Sequence, residues 1–166
     1  VPDPAPAPVS DRGAAALFFV LSFATLLLEI LLTRIFSVVM WYHFAFFVLS
    51  LSLFGIGAGA LRYHLRAKPE GPREVGALRS VGLGLAGLGF GAFLPLLLAT
   101  HLVATPSVSA EGIGLLLLYY LASALPFYFS GQAAAALVPG FPRRLGMLYA
   151  FDLVGAGIAC AAAVWT

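Results

Sequence analysis

This chain has little of what chemistry in water requires. Only 10% of its 166 residues are Asp, Glu, Lys or Arg, against about 25% in a soluble globular domain. One cysteine, Cys160, excludes an internal disulfide, a paired-cysteine zinc site and a CxxCH haem attachment. The three histidines form no pair at i, i+4 and no Ser–His–Asp grouping, so no complete catalytic site is in view. The net charge is only +2, and the basic residues sit beside apolar runs, which argues against a nucleic-acid surface. The apolar runs do not alternate with period two, which argues against a β-barrel.

What is present is hydrophobic: 61% of the residues. Apolar stretches of roughly 20 residues, the length an α-helix needs to cross a bilayer, recur along the chain. The expected fold class is all-α, a polytopic helical membrane bundle of about five transmembrane helices. The spans are placed near 14–38, 42–61, 80–103, 112–138 and 146–166. Asp11 is a candidate N-cap for the first, and Pro95 and Pro126 are expected to kink the third and fourth. Residues 1–13, opening VPDPAPAPVS, read as an extended Pro/Ala-rich tether, and 14–166 as the transmembrane domain. Val1 stands where an initiator Met is usual and Trp165-Thr166 follows the fifth span with no polar flank. The expectation is a trimmed or processed chain cut before a sixth span.

Orientation follows from the basic residues. Arg12, Arg62, Arg66, Lys68, Arg73, Arg79, Arg143 and Arg144 fall on one side of the alternating spans, leaving only Arg34 elsewhere. The bias toward cytoplasmic Lys and Arg places the N-terminus in the cytoplasm and Thr166 outside. With Glu70 and Glu74 diluting the 62–79 loop, recognition of anionic lipid is only weakly indicated.

Gly82-Leu-Gly84-Leu-Ala-Gly87 matches GxGxxG. A dinucleotide fingerprint needs a preceding strand, and this match lies within a membrane span. Small residues four apart let helices approach closely, so Gly55/Gly59 and Gly87/Gly91 are expected to pack helices, with spans 2 and 3 forming a tight antiparallel pair.

The remaining signals are polar residues inside the spans. Ser22, Thr25, Glu29 and Thr33 form one stripe on span 1. Glu29 lies roughly 22 Å along that helix from its start at about 1.5 Å per residue. Two readings stand for it: a structural pair with Arg34, or Arg34 paired instead to Glu111, and a carboxylate poised for a cation or proton. Asp152 lies two turns into span 5, near Tyr149, with Ser130 and Gln132 reaching the same depth. It could bind an arginine, favour its helix N-terminus, or contact a cation. His43 and His101 lie at matched outer depth and could ligate haem or a metal, or simply sit in the aromatic belt of Trp41 and Tyr42. Cys160, among alanines, reads as an inert thiol.

Four segments together look familiar: Phe23-Ala-Thr-Leu-Leu-Leu-Glu29-Ile-Leu-Leu-Thr33-Arg34, the Gly-rich end of span 2, Pro126-Phe-Tyr-Phe-Ser-Gly131, and Gly146-Met-Leu-Tyr149-Ala-Phe-Asp152-Leu-Val-Gly155-Ala156. In this order they resemble the membrane domain of bacterial membrane-bound spermidine synthase-like proteins, over nearly all of residues 14–166. Gln132 and the alanines after Gly131 depart from that pattern, where Phe-Pro is usual. The resemblance implies a non-catalytic inner-membrane domain that anchors a cytoplasmic, aminopropyltransferase-like catalytic or partner domain. It carries over Glu29, Arg34, Tyr149 and Asp152 as motif positions without a defined role. The expectation is therefore no catalytic residue and no cofactor in this chain. Its partners are the lipid bilayer, other membrane helices or a cytoplasmic domain. The alternatives are binding or transport of a polyamine or other small cation through Glu29 and Asp152, and a haem-binding or structural subunit of a larger membrane complex.

Overall fold

The computed structural model describes residues 11–39, 45–66, 73–101, 110–140 and 144–165. They form α1 (Asp11–Val39), α2 (Ala45–Arg66), α3 (Arg73–His101), α4 (Ala110–Gly140) and α5 (Leu145–Val164). All five are long and apolar enough to cross a membrane, and no strand occurs among the described residues. The fold is an all-α bundle and the protein a multi-pass membrane protein. Of the tether expected over residues 1–13, residues 11–13 instead form the first turn of α1, and residues 1–10 lie outside the described residues.

The radial distribution of side chains is that of a protein surrounded by lipid. Phe54 is 71% exposed and Phe90 82%, whereas Thr25, Ser52, Ser123 and Ser130 are buried. In water such apolar faces would lose about 25 cal/mol for each Å² left uncovered; against acyl chains they lose nothing. Lipid gives the helices no hydrophobic drive to associate, so close backbone packing and interhelical hydrogen bonds must hold the bundle.

Glycine supplies the close packing. α4 is clamped between α2 and α3, and these two do not pack substantially on each other among the described residues. The expected α2–α3 pair is thus corrected. Gly55 and Gly59 of α2 lie against the α4 backbone at Ala124 and Tyr128, while Gly84, Gly87 and Gly91 of α3 meet Phe129, Ala133 and Pro126 from the other side. Gly131 of α4 returns the contact against Ile56. Spacing shows which residues can approach a neighbour, but which helix fills the groove is decided by the whole arrangement. α5 packs on α1, with Gly155 against Phe19 and Phe23.

These contacts fix direction. α2 runs parallel to α4 and α1 parallel to α5, each pair antiparallel to its neighbours in sequence. Two apolar clusters cap the interior. One gathers Leu32, Phe36, Val48, Leu98, Tyr119 and Phe127, and the other Ala14, Leu21, Val81, Leu88, Ala133, Leu137 and Leu148. Arg12, Arg62, Arg66 and Arg144 lie at the second end.

The helices run through Pro95, Pro126 and Pro139. Tyr119 donates to the Leu98 carbonyl at 2.7 Å. That carbonyl belongs to the last turn of α3, where the helix supplies no donor of its own. α2 ends at Arg66 and α3 starts at Arg73, so the basic segment expected as a loop over 62–79 is mostly helical. Charged residues lengthen helices readily once they emerge from hydrocarbon, and hydropathy marks only the apolar part.

Candidate functional site

The stripe on α1 faces inward and meets three different helices. Nearest the Arg12 end, Ser22 donates to the Asp152 carboxylate of α5. One turn on, the Thr25 and Ser130 hydroxyls share a hydrogen bond of 2.6 Å between α1 and α4; Thr25 also donates to the Leu21 carbonyl at 2.7 Å. One further turn on, the Glu29 carboxylate accepts from Ser52 of α2 at 2.7 Å. Thr33, the last member, turns back to its own helix and donates to the Glu29 carbonyl at 2.8 Å. The sequence folds this way because residues three or four apart share a helix face, and an apolar surround leaves a hydroxyl or carboxylate no partner except across the interface.

The layer lies between the two apolar clusters. Ser52 is 1% exposed, so its hydroxyl is dry and Glu29 is its acceptor on α1. Ser22 and Glu29 are two turns apart, about 10 Å along the axis at 1.5 Å per residue. Each carboxylate is therefore held by its own serine. Among the described residues no histidine stands at either Ser–carboxylate contact, so neither forms a nucleophilic relay.

Arg34 does not pair with Glu29: it is exposed, and its carbonyl accepts from Ser37 at 2.7 Å. Five residues at about 100° each put the two side chains roughly 140° apart around the helix, whereas neighbours stand three or four apart. The alternative partner, Glu111, has a side chain outside what is described. Asp152 meets Ser22 rather than an arginine. Tyr149, 63% exposed, joins Asp152 in lining a cavity of about 260 Å³ with Phe18, Val138, Leu145 and Leu148. Gln132 lies elsewhere, in a cleft with Arg62, Tyr63, Arg66 and Ser80. His43 and the His101 side chain lie outside the described residues, and no cluster of three potential metal ligands occurs within them.

Ser52 was not distinguishable in sequence, since Ser50 and Ser52 lie close together in one apolar run with nothing to single out either. Tyr128 was also missed. It accepts a hydrogen bond from Arg62, whose guanidinium lies 5.7 Å from the Tyr128 ring centroid. At the opposite end, the Tyr120 and Ser123 hydroxyls are buried without a hydrogen-bond partner among the described residues, beside a largely aromatic cavity of about 20 Å³. No family model, curated protein or solved structure matches this chain.

Proposed function

We propose that this chain is the non-catalytic membrane domain of a spermidine synthase-like protein, anchoring a cytoplasmic catalytic or partner domain at a bacterial inner membrane. The observation that carries the non-catalytic part is the use of the α1 polar stripe. Ser22, Thr25 and Glu29 each bond to a different helix, which is what polar residues do when their task is to hold a bundle together. The anchoring part rests on the four-segment resemblance and on the basic end, which bias in Lys and Arg places in the cytoplasm. The test is the gene and its product. An in-frame methyltransferase-like domain that leaves the membrane fraction when residues 11–165 are deleted supports the reading; a reading frame that stops at Thr166 with no such partner overturns the anchoring role.

A second reading, binding of a polyamine or other small cation, draws on the Asp152 cavity. Among the described residues its lining is apolar apart from the Asp152 carboxylate and the Tyr149 hydroxyl, a combination suited to an amine on an aliphatic chain. Spermidine that raises the melting temperature of the purified protein, with the rise lost in Asp152→Asn, favours this reading. An equal rise in Asp152→Asn removes it.

A further inference from the structure

The cleft that holds Gln132 is chemically unlike the rest of the bundle. Its lining comes from three helices: Arg62, Tyr63 and Arg66 of α2, Ser80 of α3 and Gln132 of α4. Two guanidiniums, two hydroxyls and a carboxamide converge there, and among the described residues no carboxylate lines the space. Neither arginine is paired to a carboxylate among the described residues. The cleft has a volume of about 240 Å³, comparable to several waters at about 30 Å³ each.

The position is built by the glycine layer. Gly59 and Gly84 press α2 and α3 onto α4 at Tyr128, Phe129 and Ala133. The cleft opens one turn beyond, with Arg62 and Tyr63 three and four residues after Gly59 and Ser80 four before Gly84. Arg62 and Arg66 are one turn apart and so share a helix face. Arg62 is also oriented in advance: Tyr128 accepts its hydrogen bond and offers its ring, so less side-chain freedom is lost when an anion arrives. Guanidiniums are the preferred partners of phosphate, which they hold through paired N–H donors. The apolar run of α2 ends at Leu61, so the cleft stands at the level where lipid phosphates lie.

We propose that the Arg62–Arg66–Ser80–Gln132 cleft binds a phosphate group. That chemistry is offered by an anionic phospholipid headgroup and by a soluble phosphate compound, and one experiment separates them. The whole chain is placed in nanodiscs of phosphatidylcholine alone, the same nanodiscs with inorganic pyrophosphate added, or nanodiscs containing phosphatidylglycerol. Thermal stability is read in each, and co-purifying lipid is quantified by native mass spectrometry. Stabilisation by phosphatidylglycerol alone identifies the lipid; stabilisation by pyrophosphate in neutral nanodiscs identifies a soluble ligand. Either effect should weaken about tenfold in apparent affinity in Arg66→Gln, the loss of one charge-assisted contact, and fall less in Ser80→Ala. Arg12→Gln, at the same end outside the cleft, should leave it unchanged. No stabilisation in either arm overturns the proposal. So does equal weakening in Arg12→Gln, which would reflect general surface charge. Should Arg66→Gln fail to fold, Ser80→Ala alone decides: unaltered binding there overturns the assignment.

Discussion

Glu29 and Asp152 each lie among apolar helices and each accept a serine hydroxyl from a neighbouring helix. A carboxylate at such depth is costly without a donor, and an interhelical hydrogen bond in lipid contributes about 0.6–2 kcal/mol. Ser52→Ala should therefore lower the stability of the detergent-solubilised protein by about 1–2 kcal/mol. Glu29→Gln, which keeps an oxygen acceptor for Ser52, should cost less. Thermal unfolding followed by tryptophan fluorescence checks both, and a Gln variant more damaging than Ser52→Ala would show that the charge, not the hydrogen bond, matters. For Ser22 and Asp152 a double-mutant cycle with Ser22→Ala and Asp152→Asn should give coupling of about 0.5–2 kcal/mol. Additive losses would mean the two side chains do not hold each other. The stripe itself was legible at this scale, because a 3.6-residue period is enough to gather Ser22, Thr25 and Glu29 on one face. Its partners were not, because they come from residues 23, 105 and 130 positions away.

At the scale of elements, the glycines divide into two groups that composition does not distinguish. A side chain at Gly131 would collide with the Ile56 backbone, and one at Gly59 with the Tyr128 carbonyl, whereas Gly57, Gly82 and Gly89 face open space. Gly131→Ala should destabilise by about 1–3 kcal/mol, the usual range for overpacking. Gly57→Ala should be neutral, or stabilising by up to about 1 kcal/mol from helix propensity. Melting temperatures of the two variants in the same detergent test the α2–α4 contact directly; equal effects would mean these helices do not meet there. Small residues at four-residue spacing made helix packing legible in Gly55/Gly59 and Gly87/Gly91. The partner was misjudged, since α2 and α3 are neighbours in sequence but each uses its glycines on α4. The helix ends shifted for another reason: hydropathy marks the apolar core of a span, while the helix continues through Arg62–Arg66 and Arg73–Arg79 once the backbone is already nucleated.

For the whole molecule, lipid is the solvent that the distribution of side chains requires, with Phe54 and Phe90 outside and the hydroxyls of Thr25, Ser52, Ser123 and Ser130 within. Cys160 is exposed on α5 and lies in its apolar run. In intact vesicles it should resist a membrane-impermeant maleimide and react once the protein is denatured, as expected of a thiol in contact with lipid. Fast labelling in intact vesicles would instead reveal a water-filled path beside α5. In a Cys160→Ala background, His64→Cys should be labelled only from the cytoplasmic side, the orientation to which the basic residues point; labelling from outside would invert the proposed topology.

Composition alone was sufficient for the class of molecule, because a backbone in hydrocarbon must satisfy its hydrogen bonds within each segment and the apolar runs match the bilayer in length. Number of spans, their approximate positions and the inward face of α1 follow from the same local rules. Which helices touch, that α4 is the shared partner of α2 and α3, that Ser52 meets Glu29, and that Arg62, Arg66, Ser80 and Gln132 enclose one cleft were decided only by tertiary structure. Without a hydrophobic drive between helices in lipid, those choices depend on the fit of distant surfaces, and no short stretch of sequence contains that fit.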